Sequence, residues 1–372
     1  MAWPEGIPKE AHEIRTLLTK YGHEVGQLRG TVDVVAGGPP CQGFSMYGKR
    51  NPHDPRNHLW TAYLQFVEKV SPRVVLLENV EGIDRPFIRG REDSGKNCRE
   101  TAAHRILRNL EALGFVTKTF RLCASDYGVP QHRPRFFLIG FKSGNRELVD
   151  SILSEGFLEE MRLAHLARIG APAHKKYSVA DAISDLETEG KVRVPCPDSK
   201  GFMQAKYSGP RTSYQESMRA EMPEADTAPN SIRLARHKES TVYKFNKIQE
   251  MEVRGYKVAA KINALLGTTK HRVHWLNPDQ PAPTITTLPD DFIHYSEPRI
   301  LSARECARIQ SFPDWFEFLG KYTTGGERRK MEVPRFTQIG NAVPPRLALF
   351  LGSYINEALV RIRNAKDEQL AA

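Results

Sequence analysis

Cysteine is scarce. The 372 residues hold five, at 41, 98, 123, 196 and 306, widely spaced and never in a CxxC or Cys/His pairing. An odd, scattered set excludes a disulfide framework and a zinc site. Long apolar runs are also missing: VDVVA (32–36) and VVLL (74–77) fall far short of the ~20 residues a membrane span needs. The opening MAWPEGIPKE has neither a basic start nor an apolar stretch, so no secretory signal is read and the expected location is cytoplasmic. No internal repeat or low-complexity tract points to a solenoid or a disordered array.

What the chain does have is enough apolar material, 40%, to bury a core and to divide it over more than one domain. Lys plus Arg number 54 against 44 Asp plus Glu. That excess favours a polyanionic partner without requiring one.

The first 140 residues alternate strand-like and helix-like stretches. VDVVA (32–36), RVVLLEN (73–79) and RFFLIGF (135–141) are rich in β-branched and aromatic residues, whereas HLWTAYLQFVEKV (58–70) and ETAAHRILRNLEALGF (100–115) repeat apolar residues at helical spacing. Continuous apolar strands between helices predict a parallel α/β sheet covered on both faces, with ligands beyond the carboxyl ends of its strands. From 143 to 285 the sequence turns polar and basic and reads as a separate lobe. Farther on, ILSARECARIQSFPDWFEFL (300–319) predicts a helix, with Ser302 and Glu305 at capping-box spacing. PRFTQIGNAVPPRLALFLGSYINEALVRI (334–362) predicts a Gly/Pro turn running into a long amphipathic helix.

Four features carry chemistry. GGPPCQGFS (37–45) holds Cys41 on a turn stiffened by prolines and opened by glycines, directly after a strand. Such a thiol serves as a nucleophile through its thiolate, although by itself it reads sooner as a buried structural cysteine. LLENVEG (76–82) ends a buried strand in Glu78, placed to protonate or hydrogen-bond a substrate or else to cap a helix. VPQHRPRFFLIG (129–140) places Gln131, Arg133 and Arg135 alternately into a strand, which sends both guanidiniums to one face. There they hold a base edge, a sugar or a phosphate, or form a solvated basic edge. SMYGKRNPHDPRNHL (45–59) is a polar, basic, Gly/Pro-punctuated loop.

Together these motifs resemble those of the DNA (cytosine-5)-methyltransferase family. GGPPCQGFS is similar to its catalytic motif, ENV to its glutamate motif and QHRPR to its Gln-x-Arg-x-Arg motif. RILSARECARIQSFP (299–313) and QIGNAVPP (338–345) resemble its last two, all in the family's order. The implied fold is α/β, a partial doubly wound Rossmann-like methyltransferase sheet with an inserted, smaller target-recognition domain. The expected division is a catalytic domain at 1–142, a recognition domain at 143–285 and a segment at 286–372 returning to the catalytic domain. The resemblance implies methyl transfer from S-adenosyl-L-methionine to C5 of a flipped-out cytosine in double-stranded DNA, within bacterial restriction-modification and at the nucleoid when on DNA. It makes Cys41 the nucleophile, Glu78 the acid at N3, and Arg135 with Arg133 the holders of the base. Pro40, Asn341 and Val343 would face the cofactor, and Gln42, Ser45, Lys49, Arg50 and Arg56 the DNA. No metal is implied.

The family opens with a strand, a Phe-x-Gly-x-Gly turn around the methionine of the cofactor, and a second strand ending in an acid for the ribose. The residues ahead of Cys41 contain no such turn, and AHEIRTLL (11–18) is only a faint counterpart of the motif that follows it. The expectation is an N-terminally incomplete catalytic domain, whose cofactor-binding half comes from a mis-assigned start or a second polypeptide. Two other functions follow from the same residues: cytosine-5 methylation of transfer RNA, and a non-catalytic DNA-binding subunit or decayed copy.

Overall fold

The protein is described by a computed structural model, covering residues 4–39, 59–85, 100–224, 227–251, 254–267, 273–324 and 328–371. The chain opens with α1 (Ile14–Lys20), α2 (Gly22–Gln27), β1 (Val34–Gly37), α3 (Leu59–Val70), β2 (Val74–Asn79) and α4 (Ala102–Ala112). It continues through β3 (Val116–Cys123), β4 (Pro134–Phe141), α5 (Arg146–Ile152), α6 (Glu155–Arg168) and α7 (Val179–Ile183). A short hairpin, β5 (Arg193–Pro195) and β6 (Met203–Ala205), leads to α8 (Ser213–Met218), α9 (Glu239–Met251) and α10 (Ala260–Leu265). Then come β7 (His274–Trp275), β8 (Phe292–Ile293), α11 (Ala303–Ile309), α12 (Arg328–Met331), α13 (Arg335–Asn341) and α14 (Pro345–Ala371).

Two compact units divide the chain. The first comprises residues 1–122, 134–161 and 353–372 and carries the main sheet, in the order β1-β2-β4-β3. Val74, Val75 and Leu77 of β2 are fully buried, as a strand covered on both faces requires. Val67 and Val70 of α3 and Ile106 and Leu110 of α4 join Val35, Val75, Leu77, Phe136 and Leu138 of the sheet in one apolar cluster. Burying side chains of this size stabilises by about 1.5–3 kcal/mol each, which makes the cluster this unit's main support. α4 starts where the Thr101 hydroxyl accepts from the His104 amide at 3.1 Å, and it is followed by Gly114 at φ +85°.

The sheet is only partly parallel. β1 runs parallel to β2, but β4 pairs with β2 antiparallel, Glu78 opposite Phe137. The all-parallel expectation fails because β3, an unanticipated strand, lies between α4 and β4, so the chain enters β4 from the opposite end of the sheet. Among the described residues β1 lies at the sheet's edge, and Val34 is exposed there.

The second unit comprises residues 123–133 and 162–352. Its core gathers Tyr177, Val179, Ile183, Tyr214, Leu276, Ile285, Phe318, Phe336 and Ile339. The capping box predicted at Ser302 and Glu305 is present, but α11 stops at Ile309 rather than running to 319. Ser311 takes a left-handed backbone at φ +64° and Pro313 follows, so the helical ladder cannot continue.

One buried imidazole makes this unit acid-sensitive. His294 stacks on Tyr295, its Nδ1 accepts from the Ser296 and Glu297 amides at 3.2 and 3.3 Å, and its Nε2 faces Glu305 at 3.6 Å. Burial, aided by Arg299, pushes its pKa down to about 4. A neutral folded imidazole means that the unfolded chain binds the extra proton between about pH 6.5 and 4. The stability it contributes is therefore complete above about 6.5 and is lost as pH falls, by at most about 1.4 kcal/mol per pH unit. Thermal melts should show an earlier transition at pH 5 than at pH 7, and His294→Gln should narrow that difference without abolishing it, because burial also lowers the pKa of His165 and His237 in the same unit.

Candidate active site

Parallel pairing of β1 with β2 brings their carboxyl ends to one edge, Gly37 opposite Leu77. The two glycines there have separate reasons. A Cβ on Gly37 would lie 2.6 Å from the ring of Tyr63, and one on Gly38 would lie 3.4 Å from Oε2 of Glu78. A side chain at Gly37 would force the Tyr63 ring aside, whereas one at Gly38 would lie in contact with the carboxylate. The next contact fixes the turn: Asn79 Nδ2 donates to the Pro39 carbonyl at 2.9 Å, while its Oδ1 accepts from the Val80 amide at 2.9 Å. The ENV segment thus grips the chain two residues before Cys41. Cys41 itself, with Pro40, Gln42, Ser45, Lys49, Arg50 and Arg56, lies outside the described residues.

Because β4 is antiparallel, its first residues come to this same edge. Arg135 Nε lies 3.1 Å from Oε1 of Glu78, with both side chains mostly buried, and its Nη1 donates to the Pro134 carbonyl at 2.8 Å. The pair holds Glu78 in place, and the second carboxylate oxygen faces Gly38.

Arg133 is bound elsewhere. β4 begins only at Pro134, so residues 131–133 are not strand and the alternation predicted for them does not apply. Arg133 is buried in the second unit, where Nη1 donates to Ile285 O at 3.1 Å and Nη2 to Gly340 O and Ala342 O at 2.9 and 3.1 Å. Gln131 adds to this clasp: its Nε2 donates to Gln310 Oε1 at 2.8 Å and its Oε1 accepts from the Ile285 amide at 2.8 Å. Gln310 in turn donates to Ile339 O at 2.8 Å. These bonds satisfy the last carbonyls of α13 and so fix the turn from Asn341, which is exposed, to Val343, which is half-buried. Glu78 and Arg135 belong to the first unit, and Arg133, Asn341 and Val343 to the second.

Sequence reasoning assigned no role to Asn79, Gln310 or Gly340. All three sit inside motifs already quoted, so the available signal was position within the motif rather than residue type.

The sequence model of the C-5 cytosine-specific DNA methylases matches residues 7–357. The chain belongs to that family. It is 32% identical over 355 residues to the Type II methyltransferase M.DdeI of Desulfomicrobium norvegicum, covering 91% of this chain and 76% of the relative. It is 30% identical over 400 residues to the Type II methyltransferase M.AgeI of Thalassovita gelatinovora, covering 91% and 86%. Among solved structures, an E. coli prophage chain described as a DNA modification methyltransferase aligns at a TM-score of 0.59 with 20% identity, covering 95% of this chain and 85% of that one. That likeness supports the α/β methyltransferase fold.

For a member of the C-5 cytosine-specific DNA methylases, the state of the other thiols matters. Burial pushes the Cys196 thiol up to about 11 and also raises that of buried Cys306, so neither supplies a thiolate at neutral pH. No group of three or more His, Cys, Asp or Glu among the described residues could hold a metal, and no described helix is long and apolar enough to cross a membrane.

Proposed function

We propose that this methylase transfers a methyl group to C5 of a cytosine flipped out of duplex DNA, with Cys41 as nucleophile and Glu78 as the acid at N3. The observation that carries this reading is the Glu78–Arg135 pair beside the Gly38–Pro39 turn that leads into Cys41. C5 of cytosine is a weak nucleophile, and a stacked duplex hides it, so the base must leave the helix first. The Cys41 thiolate adds to C6, and the electrons of the C5=C6 bond move toward C5 as Glu78 shares its proton with N3. C5 then takes the methyl group, loses its own proton to a base, and expels the thiolate to restore the double bond. Arg135 holds Glu78 and the base oxygen. Arg133, through the carbonyls of Gly340 and Ala342, positions the α13 turn.

S-adenosyl-L-methionine, the donor used across the family, supplies an electrophilic methyl sulfonium when bound. Asn341 presents an exposed amide at the end of α13 and Val343 a half-buried apolar side chain, a pair that fits one flank of such a group, with Pro40 as a further contact. Gln42, Ser45, Lys49, Arg50 and Arg56 contact DNA from the loop that closes over the base, and residues 143–285 recognise the target sequence. The exposed edge at Val34 of β1 is where a second polypeptide would add a strand. The Type II names of the relatives support a place in restriction-modification.

Glu78→Gln keeps a carbonyl for Arg135 and removes the proton. It should lower kcat by about 10²–10⁴-fold with little change in KM for DNA, as read by transfer of radiolabelled methyl groups to a duplex. Duplex DNA and transfer RNA offered together as acceptors test the substrate class: labelled DNA is expected, and labelled transfer RNA would overturn the choice of DNA.

A further inference from the structure

β1 is four residues long and, among the described residues, pairs on one side only, with β2. A short edge strand is held by a single ladder, so its carboxyl end needs a second restraint if the turn that follows is to stay in place. α3 supplies one. Tyr63, Leu64 and Val67 are buried in the cluster that joins this helix to the sheet, and Tyr63 lies over the last residue of β1. A Cβ on Gly37 would stand 2.6 Å from its Cδ2 and Cε2, so the ring rests directly on the glycine backbone.

No step of the methyl transfer uses this side chain, yet its polar end is aimed at both strands of the site. The Tyr63 hydroxyl is shared between the carbonyl of Val35, at 3.3 Å, and that of Leu76, at 3.2 Å. A carbonyl oxygen carries two lone pairs, so it accepts the hydroxyl in addition to a ladder amide. Val35 lies two residues before Gly37, and Leu76 two before Glu78. One proton therefore ties the strand that leads to the Gly38–Pro39 turn to the strand that ends in Glu78. Burial raises the pKa of the hydroxyl above the ordinary tyrosine value, so the group keeps its proton and stays a donor. A phenylalanine would fill the same space, and burying the extra oxygen is favourable only through the bonds it makes.

We propose that Tyr63 is a positioning residue for the reaction: its hydroxyl fixes the spacing of β1 and β2 at their carboxyl ends, and with it the placement of the Cys41 turn against Glu78. The proposal rests on the methyltransferase reading above. Two groups must act on one cytosine, the thiolate at C6 and the acid at N3. A displacement of one against the other lowers the fraction of complexes in which both are in place. Asn79 holds the turn from β2 through the Pro39 carbonyl, and Tyr63 holds the strand behind it from α3.

The test compares two hydroxyl deletions in the full chain. Tyr63→Phe keeps the ring on Gly37 and removes both bonds. Tyr354→Phe removes a hydroxyl that donates to the Ile152 carbonyl, beside Phe120 of β3 at the opposite edge of the same sheet. Both variants should melt within a few degrees of the unmodified chain. In single-turnover transfer of radiolabelled methyl groups to a duplex, Tyr63→Phe should slow the chemical step by about 3–10-fold, with KM for DNA changed by less than about 2-fold. Tyr354→Phe should leave the rate where it was. A merely structural hydroxyl would lower the melting transition in each case and slow neither reaction. A Tyr63→Phe rate equal to that of the unmodified chain, or equal slowing in both variants, would overturn the proposal. An unmodified chain that transfers no methyl group would overturn the methyltransferase reading, and the positioning role with it.

Discussion

Cys41→Ala is expected to lower methyl transfer by at least about 10⁴-fold while leaving affinity for duplex DNA within a few-fold of the unmodified chain. The size of the effect follows from the chemistry. Without addition at C6 there is no electron density at C5 to take the methyl group, and neither buried thiol among the described residues, Cys196 or Cys306, stands in for it. Cys196 donates its thiol to Asp198 at 2.9 Å and is raised to about 11, and Cys306 is closed inside α11. Affinity is spared because the proposed DNA contacts, Gln42, Ser45, Lys49, Arg50 and Arg56, are side chains other than the thiol. Initial rates with radiolabelled donor, set beside binding isotherms, separate the two quantities. A variant that kept a tenth of the activity would remove Cys41 from its role.

Gly340→Ala should be the most damaging single methyl group at the described glycines. A Cβ there would stand 2.4 Å from the carbonyl oxygen and 2.5 Å from the carbonyl carbon of Thr286, and 2.7 Å from the Thr287 amide nitrogen. All three are backbone atoms, so no rotamer change relieves the clash. Either α13 or the 285–287 segment must move, and each is held through Arg133: Ile285 O on one side, Gly340 O and Ala342 O on the other. Overpacking of this kind costs about 1–3 kcal/mol or more. In a unit of this size that lowers the melting transition by roughly 2–12 °C. The same shift would displace Asn341 and Val343, so affinity for S-adenosyl-L-methionine, measured by calorimetry, should fall with it. A variant that melts and binds as the unmodified chain does would show that the α13 turn tolerates displacement.

The first half of the fold was legible because its signals are local. β1 and β2 are short apolar runs with β-branched residues, α3 and α4 repeat at 3.6, and the capping box at Ser302 and Glu305 is a spacing rule; all formed where expected. What local signals do not encode is strand direction. RFFLIGF reads the same in a parallel or an antiparallel sheet, and only the intervening β3 settles that β4 is antiparallel. That reversal brings Arg135 to Glu78. Arg133 was legible as a motif residue but not as a buried clasp, because its partners are carbonyls about 150 to 210 residues away and carbonyls are common to every residue. The helix expected over 300–319 looked continuous because apolar spacing continues past Ile309; the left-handed Ser311 and Pro313 end it.

The central claim, that this chain is a cytosine-5 methyltransferase of DNA acting through Cys41, is tested most directly by mass spectrometry of DNA from an unmethylated host. The chain is expressed there beside its Cys41→Ala variant, each alone and each together with the coding region immediately upstream. The account predicts 5-methylcytosine with the unmodified chain, in at least the co-expressed arm, and none above background with the variant in either arm. Equal 5-methylcytosine from chain and variant, or none from the unmodified chain in both arms, would contradict it.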